Sequence, residues 1–463
     1  MKYILDRDYR LRGWTDSLAN AEQLSTRKLT KLTPHECLFL MQCDGIRDAD
    51  TETFAPEIQK FLGLGMIHET EGDALLPGQE YEMYPNKLFR EMYLSITGGC
   101  DFRCKHCFVA EDNAPRGVAP STEELLSLIG RLDDCGIADI WVAGGEPLLH
   151  KGFMEVITEI ARRRMKLGCL VTNLYHMTPE IADRILELGH DPLIHTSFDG
   201  LGYHEWLRGV PGSEKRTLEN IGMMKKKGYT IQAHYCVWKD SLEAVRPTIL
   251  KLRDVGVDGI RITCVEPAPR WVASYGNQTI TPKEWLDYML DLLDFWYSEK
   301  IDRDMGLDIW CFWNQQQGSR NVKIVPDMFK YRDMLHKIPM CSDAYQRPYI
   351  DCDGRIMLCI GMSGYTKLNG MEWGNVYTDD LHELLREGPF IDLCRKNLKE
   401  VKETQERCTD CKWKEYCGYG CRIEAYAQGN GFFGVDERVC AFFRDGYYSR
   451  CLELANRYGI TLA

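Results

Sequence analysis

The chain has 463 residues, enough for about two to four domains and a large core. Its net charge of −12 argues against nucleic acid as the main partner, and no apolar run approaches the roughly 20 residues of a membrane span. The opening Met1–Asp8 has no apolar h-region, which predicts no secretory signal and a cytoplasmic protein. Twenty cysteines in that setting point away from disulfide staples and toward metal, redox or core roles.

In chain order, residues 1–85 read as a small winged-helix-like domain. Tyr3–Leu5 and Tyr9–Leu11 are expected to form a strand pair. Thr33 caps a helix with Pro34 at its first position and Glu36 closing a capping box. Asp44-Gly45 is expected to stop that helix. A second helix is expected over 53–64, and Gly72–Pro85 reads as a linker. Residues 90–300 alternate strand and helix. Candidate strands are Tyr93–Thr97, Asp139–Ala143, Gly168–Thr172, Leu193–Phe198, Ile231–Val237 and Gly259–Thr263. The alternation predicts an α/β fold, a parallel sheet with right-handed crossovers, and its six units fit a partial (β/α)6 barrel. Ligands of such sheets sit at the carboxyl ends of the strands. Residues 301–340 read as a bridging segment containing Trp310-Cys311-Phe312-Trp313. Residues 341–463 form a cysteine-rich domain closed by a helix over 445–458.

Cys100, Cys104 and Cys107 form a C-x3-C-x2-C loop directly after the first barrel strand. Iron–sulfur cubes are normally held by four thiolates, so three on one loop leave an iron open. Gly144-Gly145-Glu146-Pro147 follows at the next strand end. Together and in this order, the two motifs resemble the radical S-adenosylmethionine (SAM) superfamily. A zinc site is the alternative for the triplet, but structural zinc takes four ligands and no fourth lies nearby in sequence.

The resemblance implies that Cys100, Cys104 and Cys107 hold a 4Fe–4S cluster whose open iron chelates SAM. Reductive cleavage of SAM would give a 5′-deoxyadenosyl radical that abstracts hydrogen from a C–H bond. It implies further that His106 lies beside the adenine, and that Gly144, Gly145, Glu146 and Pro147 approach the SAM ammonium. Ser197, in Thr196-Ser197-Phe198-Asp199-Gly200, takes the fourth-strand SAM position. Arg208 is the candidate for the SAM carboxylate, with an ion pair as its alternative.

The second pattern begins at Cys341 and continues through Gly354-x4-Cys359, Cys408-x2-Cys411-x5-Cys417-x3-Cys421 and Cys440. It resembles the SPASM domain of radical SAM enzymes, with a zinc ribbon as the alternative. The resemblance implies two auxiliary 4Fe–4S clusters, the first held by Cys341, Cys359 and Cys421, the second by Cys408, Cys411, Cys417 and Cys440. The first set then lacks a fourth ligand. Cys352 or Cys394 would close it; otherwise its iron stays open to a substrate thiolate. Most of the remaining cysteines read as core; Cys264, at a strand end beside Glu266, points toward the expected active site and reads as core, with a hydrogen-donor role as its alternative.

Residues 1–90 carry 11 Lys and Arg against 15 Asp and Glu, a poor match for phosphate. The stretch from Leu32 to Gly45 is similar to the recognition element of enzymes that modify ribosomally made peptides, which binds a leader peptide as an added strand. The three resemblances together imply a maturase of a ribosomally synthesised precursor peptide, supplied with electrons by a flavodoxin or ferredoxin. Thioether crosslinking is the first expectation. Carbon–carbon crosslinking of side chains and a sulfatase-maturase-type formylglycine reaction are the alternatives.

Overall fold

The computed structural model describes residues 1–14, 19–26, 28–84, 86, 89–109, 118–365 and 372–463. The amino-terminal domain runs β1 (Lys2–Leu5), β2 (Tyr9–Gly13), β3 (Ala19–Gln23), β4 (Lys28–Leu32), α1 (Pro34–Leu40), β5 (Asp44–Asp48), α2 (Ala55–Gly63), β6 (Ile67–Thr70) and β7 (Glu82–Met83). These strands form two sheets, β5-β1-β6 and β4-β3-β2-β7. The expected strand pair is therefore corrected: β1 and β2 are both strands but lie in different sheets. Gln79 explains why. It is buried, and its Nε2 donates to the Asp6 and Tyr9 carbonyls at 2.8 and 2.9 Å, holding the bend between the two strands.

The capping box is present, with Glu36 N donating to Thr33 Oγ1 at 3.2 Å and Thr33 N donating to Glu36 Oε2 at 2.8 Å. The helix ends at Leu40, before Asp44-Gly45, and Asp44 instead opens β5. The expected linker is not free, because β7 pairs with β2; its last residue, Pro85, lies outside the described residues. The domain is seated on the barrel by Trp14, whose indole donates to Gly136 O, and by Arg12 facing Asp133 at 3.6 Å.

The barrel strands follow the expected alternation: β8 (Glu91–Ser95), β9 (Asp139–Ala143), β10 (Lys166–Val171), β11 (Leu193–Ser197), β12 (Ile231–Val237) and β13 (Gly259–Cys264). They pair in that order, all parallel. The helices between them are α3 (Thr122–Asp134), α4 (Phe153–Arg162), α5 (Pro179–Glu187), α6 (His204–Arg208), α7 (Ser213–Lys226) and α8 (Val245–Asp254). One face of the sheet is mainly apolar and buried under helices, with Met92, Leu94, Ile140, Val142, Ile194, Ala233, Tyr235, Ile260 and Ile262 beside the buried Thr196. The other face carries Tyr93, Trp141, His195, Ser197, His234, Cys236 and Arg261. Polar residues on the inner face of a parallel sheet need a solvated or liganded interior, since every one is otherwise desolvated at a cost.

The bridging segment and the cysteine-rich domain both add strands to the barrel sheet. β14 (Gly306–Ile309) adds a further parallel strand beside β13, followed antiparallel by β15 (Trp313–Gln315) and β16 (Asn321–Ile324). At the other margin, β17 (Tyr349–Ile350) pairs in parallel with β8 and antiparallel with β18 (Ile356–Met357). β19 (Thr461–Leu462) closes onto β16. Strands β8 to β19 thus form one twelve-stranded sheet. The short added strands cover the β8 and β13 edges that would otherwise expose unpaired backbone groups. Strands of two to four residues carry no readable period, so the sequence did not announce them.

Candidate active site and metal centres

The cysteine loop leaves the carboxyl end of β8 and is pinned from two sides. Gly145 N donates to Thr97 O at 2.7 Å and Glu146 N to Gly99 O at 2.8 Å. A Cβ on Gly144 would lie 2.4 Å from Thr97 O, and one on Gly145 would lie 2.3 Å from Gly99 O. The two glycines therefore serve the close packing of this motif against the backbone leading into Cys100, where the sequence suggested close approach to a ligand. From the other side, Arg103 N donates to Arg208 O at 3.0 Å and Lys105 N to Leu207 O at 2.8 Å. Burial, with Cys104, Glu146 and Cys107 adding, pushes the Cys100 thiol up to about 12. Three soft sulfurs held together this way are stable as thiolates only with a cationic metal centre among them, which fits an iron–sulfur cluster.

Glu146 is fully buried and ties the β9 loop to the end of β10. It accepts from Leu148 N at 3.2 Å, Thr172 Oγ1 at 2.7 Å and Asn173 N at 2.8 Å. Burial pushes the carboxyl up to about 7 against these hydrogen bonds. A carboxylate offers about four acceptor positions, so one remains. Pro147 is buried and opens a short helical turn, Pro147–Leu149. Ser197 closes β11 on the inner face, beside His234 of β12. His106 is buried with Nδ1 unpartnered among the described residues; burial, and after it the Arg208 charge, pushes the ring down to about 3, leaving it neutral.

Arg208 is partnered within the protein. Its Nε donates to Asp199 Oδ2 and its Nη1 lies 3.6 Å from Cys104 Sγ. Asp199 is fully buried; burial would raise its carboxyl, but Arg208 and His204 hold it well below the carboxylate range. Asp199, His106 and Cys236 offer donor atoms within 4.8 Å of one another. Arg208 already occupies the cationic place in that group. Motif reading missed Asp199 and Cys236, although Asp199 stands two residues after Ser197.

In the carboxyl-terminal domain the second sulfur set sits together: Cys408, Cys411, Cys417 and Cys440 line one pocket with Lys402 and Trp413. Arg407 Nη2 donates to Cys440 Sγ at 3.2 Å and Tyr419 N to Cys417 Sγ at 3.3 Å. Cys341, Cys359 and Cys421 influence one another's thiols and so form the other set. The fourth sulfur beside them is Cys311, which the sequence placed in the core. The thiols of Cys311 and Cys421 act on each other, which raises the first and lowers the second. Cys311 stands at the tip of the β14–β15 hairpin with φ +69°, a left-handed conformation that a non-glycine residue holds only under constraint. Cys352 instead lies buried beside Tyr349 and Tyr377. Cys394 is buried near Cys341, and Cys264 is buried near Arg438 and Glu424. Four sulfurs in each set again suit iron–sulfur chemistry.

The family profile of the radical SAM superfamily covers residues 94–252, the segment that holds the cysteine loop, the glycine motif and Ser197. Residues 94–252 therefore form a radical SAM domain, and the protein is an enzyme. An AdoMet-dependent heme synthase of Nitratidesulfovibrio vulgaris is 25% identical over 75% of this chain and 90% of its own. A PqqA peptide cyclase of Granulibacter bethesdensis is 20% identical over 75% of this chain and 85% of its own. Among solved structures, Streptococcus suis SuiB bound to precursor peptide SuiA shares the fold over 95% of this chain and 99% of that one, with a TM-score of 0.64 at 14% identity. Native anSMEcpe with AdoMet and a peptide matches 80% of this chain and 99% of that one, with a TM-score of 0.58 at 17% identity. Among the described residues, no helix is long and apolar enough to cross a membrane.

Proposed function

We propose that the protein is a maturase that crosslinks a ribosomally synthesised precursor peptide. The carrying observation is the fold shared with SuiB, crystallised with its precursor peptide, over 95% of the chain. The part left out is shorter than residues 1–85, so the likeness takes in most of the amino-terminal domain. The leader would add to an open sheet edge there, and β4 is such an edge.

Cys100, Cys104 and Cys107 would hold the SAM-binding cluster, with Cys311, Cys341, Cys359 and Cys421, and Cys408, Cys411, Cys417 and Cys440, holding two auxiliary clusters. When bound, the first cluster and SAM supply one-electron chemistry that removes hydrogen from an unactivated C–H bond. The protein's own part is placement. Glu146 keeps one acceptor position for the SAM ammonium, Ser197 and neutral His106 line the same mouth, and the polar inner face receives the peptide core.

Thioether formation is the reaction we assign. A carbon–carbon crosslink is the second reading, and the Cys311 contact favours it: a fourth sulfur in the first auxiliary set leaves no iron for a substrate thiolate. Co-expression with a candidate precursor, followed by mass spectrometry after thiol alkylation, tests both. Either crosslink removes two hydrogens; a thioether also shields one cysteine from alkylation. An unchanged peptide, with SAM cleaved to 5′-deoxyadenosine, would overturn the crosslinking reading.

A further inference from the structure

One short stretch, Leu207 to Gly209, clamps the cysteine loop. The Leu207 and Arg208 carbonyls accept from Lys105 N and Arg103 N at 2.8 and 3.0 Å. Gly209 leaves the clamp with φ +71°, and a Cβ there would stand 2.7 Å from Arg103 O. The Arg208 side chain then folds back onto the same loop. Its Nη1 reaches Cys104 Sγ at 3.6 Å while Nε donates to Asp199. Asp199 is itself held: its Oδ1 accepts from Cys236 N at 3.0 Å, and His204 Nδ1 lies 3.5 Å from its Oδ2. Neither Asp199 nor His204 reaches solvent. The guanidinium is thus aimed at a sulfur by a buried carboxylate.

We propose that Arg208 is a positioning residue that raises the reduction potential of the cluster held by Cys104, with Asp199 setting its direction. A donor and a positive charge at a ligating sulfur stabilise the reduced, more negative cluster. The inference rests on reading Cys100, Cys104 and Cys107 as iron ligands and is independent of the substrate. It departs from a role for Arg208 confined to the SAM carboxylate, which would leave the SAM-free cluster untouched.

The test is an anaerobic redox titration of the full-length, reconstituted protein without SAM. It follows the electron paramagnetic resonance signal that is lost in the Cys100→Ala/Cys104→Ala/Cys107→Ala protein. If that variant loses no signal, the ligand reading fails first and is separately identified. Arg208→Gln is expected to shift the midpoint to more negative potential, with Arg208→Lys between it and the unsubstituted protein. An unchanged Arg208→Gln midpoint, with or without weaker SAM binding by calorimetry, overturns the proposal. If Arg208→Gln takes up no iron at this site, Asp199→Glu decides: it keeps the charge but moves the carboxylate that aims Arg208, so the midpoint should fall, and an unchanged or higher value overturns the proposal.

Discussion

Single atoms set the tolerances around the cysteine loop. A Cβ on Gly145 would stand 2.3 Å from Gly99 O, a backbone atom that cannot swing aside. Gly145→Ala is therefore expected to displace the loop, destabilise the protein by about 1–3 kcal/mol, and lower its iron content after anaerobic reconstitution. Unfolding curves and iron assays check both. Cys311→Ala is expected to reduce iron retention in the auxiliary region while SAM cleavage persists. Cys352→Ala and Cys394→Ala should retain their iron, and loss from either in place of Cys311 would contradict the assignment. Asp139 opens β9, packed where Gly168 has no Cβ, and burial pushes its carboxyl up to about 7. A carboxyl raised on folding stabilises the protein while protonated. That contribution is full below the ordinary carboxylate range and is lost as pH rises toward 7. Asp139→Asn should flatten the fall in apoprotein melting temperature over that window; an equally steep fall would place its cause elsewhere.

At the scale of elements, the capping box of α1 and the barrel alternation were legible because both are local. Thr33 and Glu36 are three residues apart, and α3 and β9 form over the residues their periods mark. The β1–β2 pairing was misread because adjacency in sequence is a weak guide to partnership once a buried side chain, Gln79, can hold the intervening bend. β4 remains an exposed edge, with Lys28 and Lys31 outward. Deleting residues 1–85 is expected to weaken precursor binding, read by fluorescence anisotropy, while SAM cleavage continues. Equal affinity without the segment would remove leader docking from this domain.

For the whole molecule, the twelve-stranded sheet crosses the chain at residues 300 and 340 but not the boundary near residue 85. β17 covers the edge of β8, and β19 covers the edge of β16, at opposite margins of the barrel. A chain ending at residue 340 should expose the β8 edge and associate more than the full chain does in size-exclusion chromatography. Retention as an isolated monomer would show that the barrel does not need the cysteine-rich domain to close its margin.

By itself, the sequence determined the three-cysteine loop, the glycine motif, the strand–helix alternation and most members of two further sulfur sets. Each is written in residues a few positions apart, and chelation and periodicity both depend on such spacing. The tertiary structure alone decided that Cys311 joins Cys421 from more than a hundred residues away, and that Arg208 spends its charge on Asp199 and Cys104. It also decided that the last domain completes the barrel's sheet. Contacts of that kind depend on where packing brings distant chain segments, and no local pattern records them.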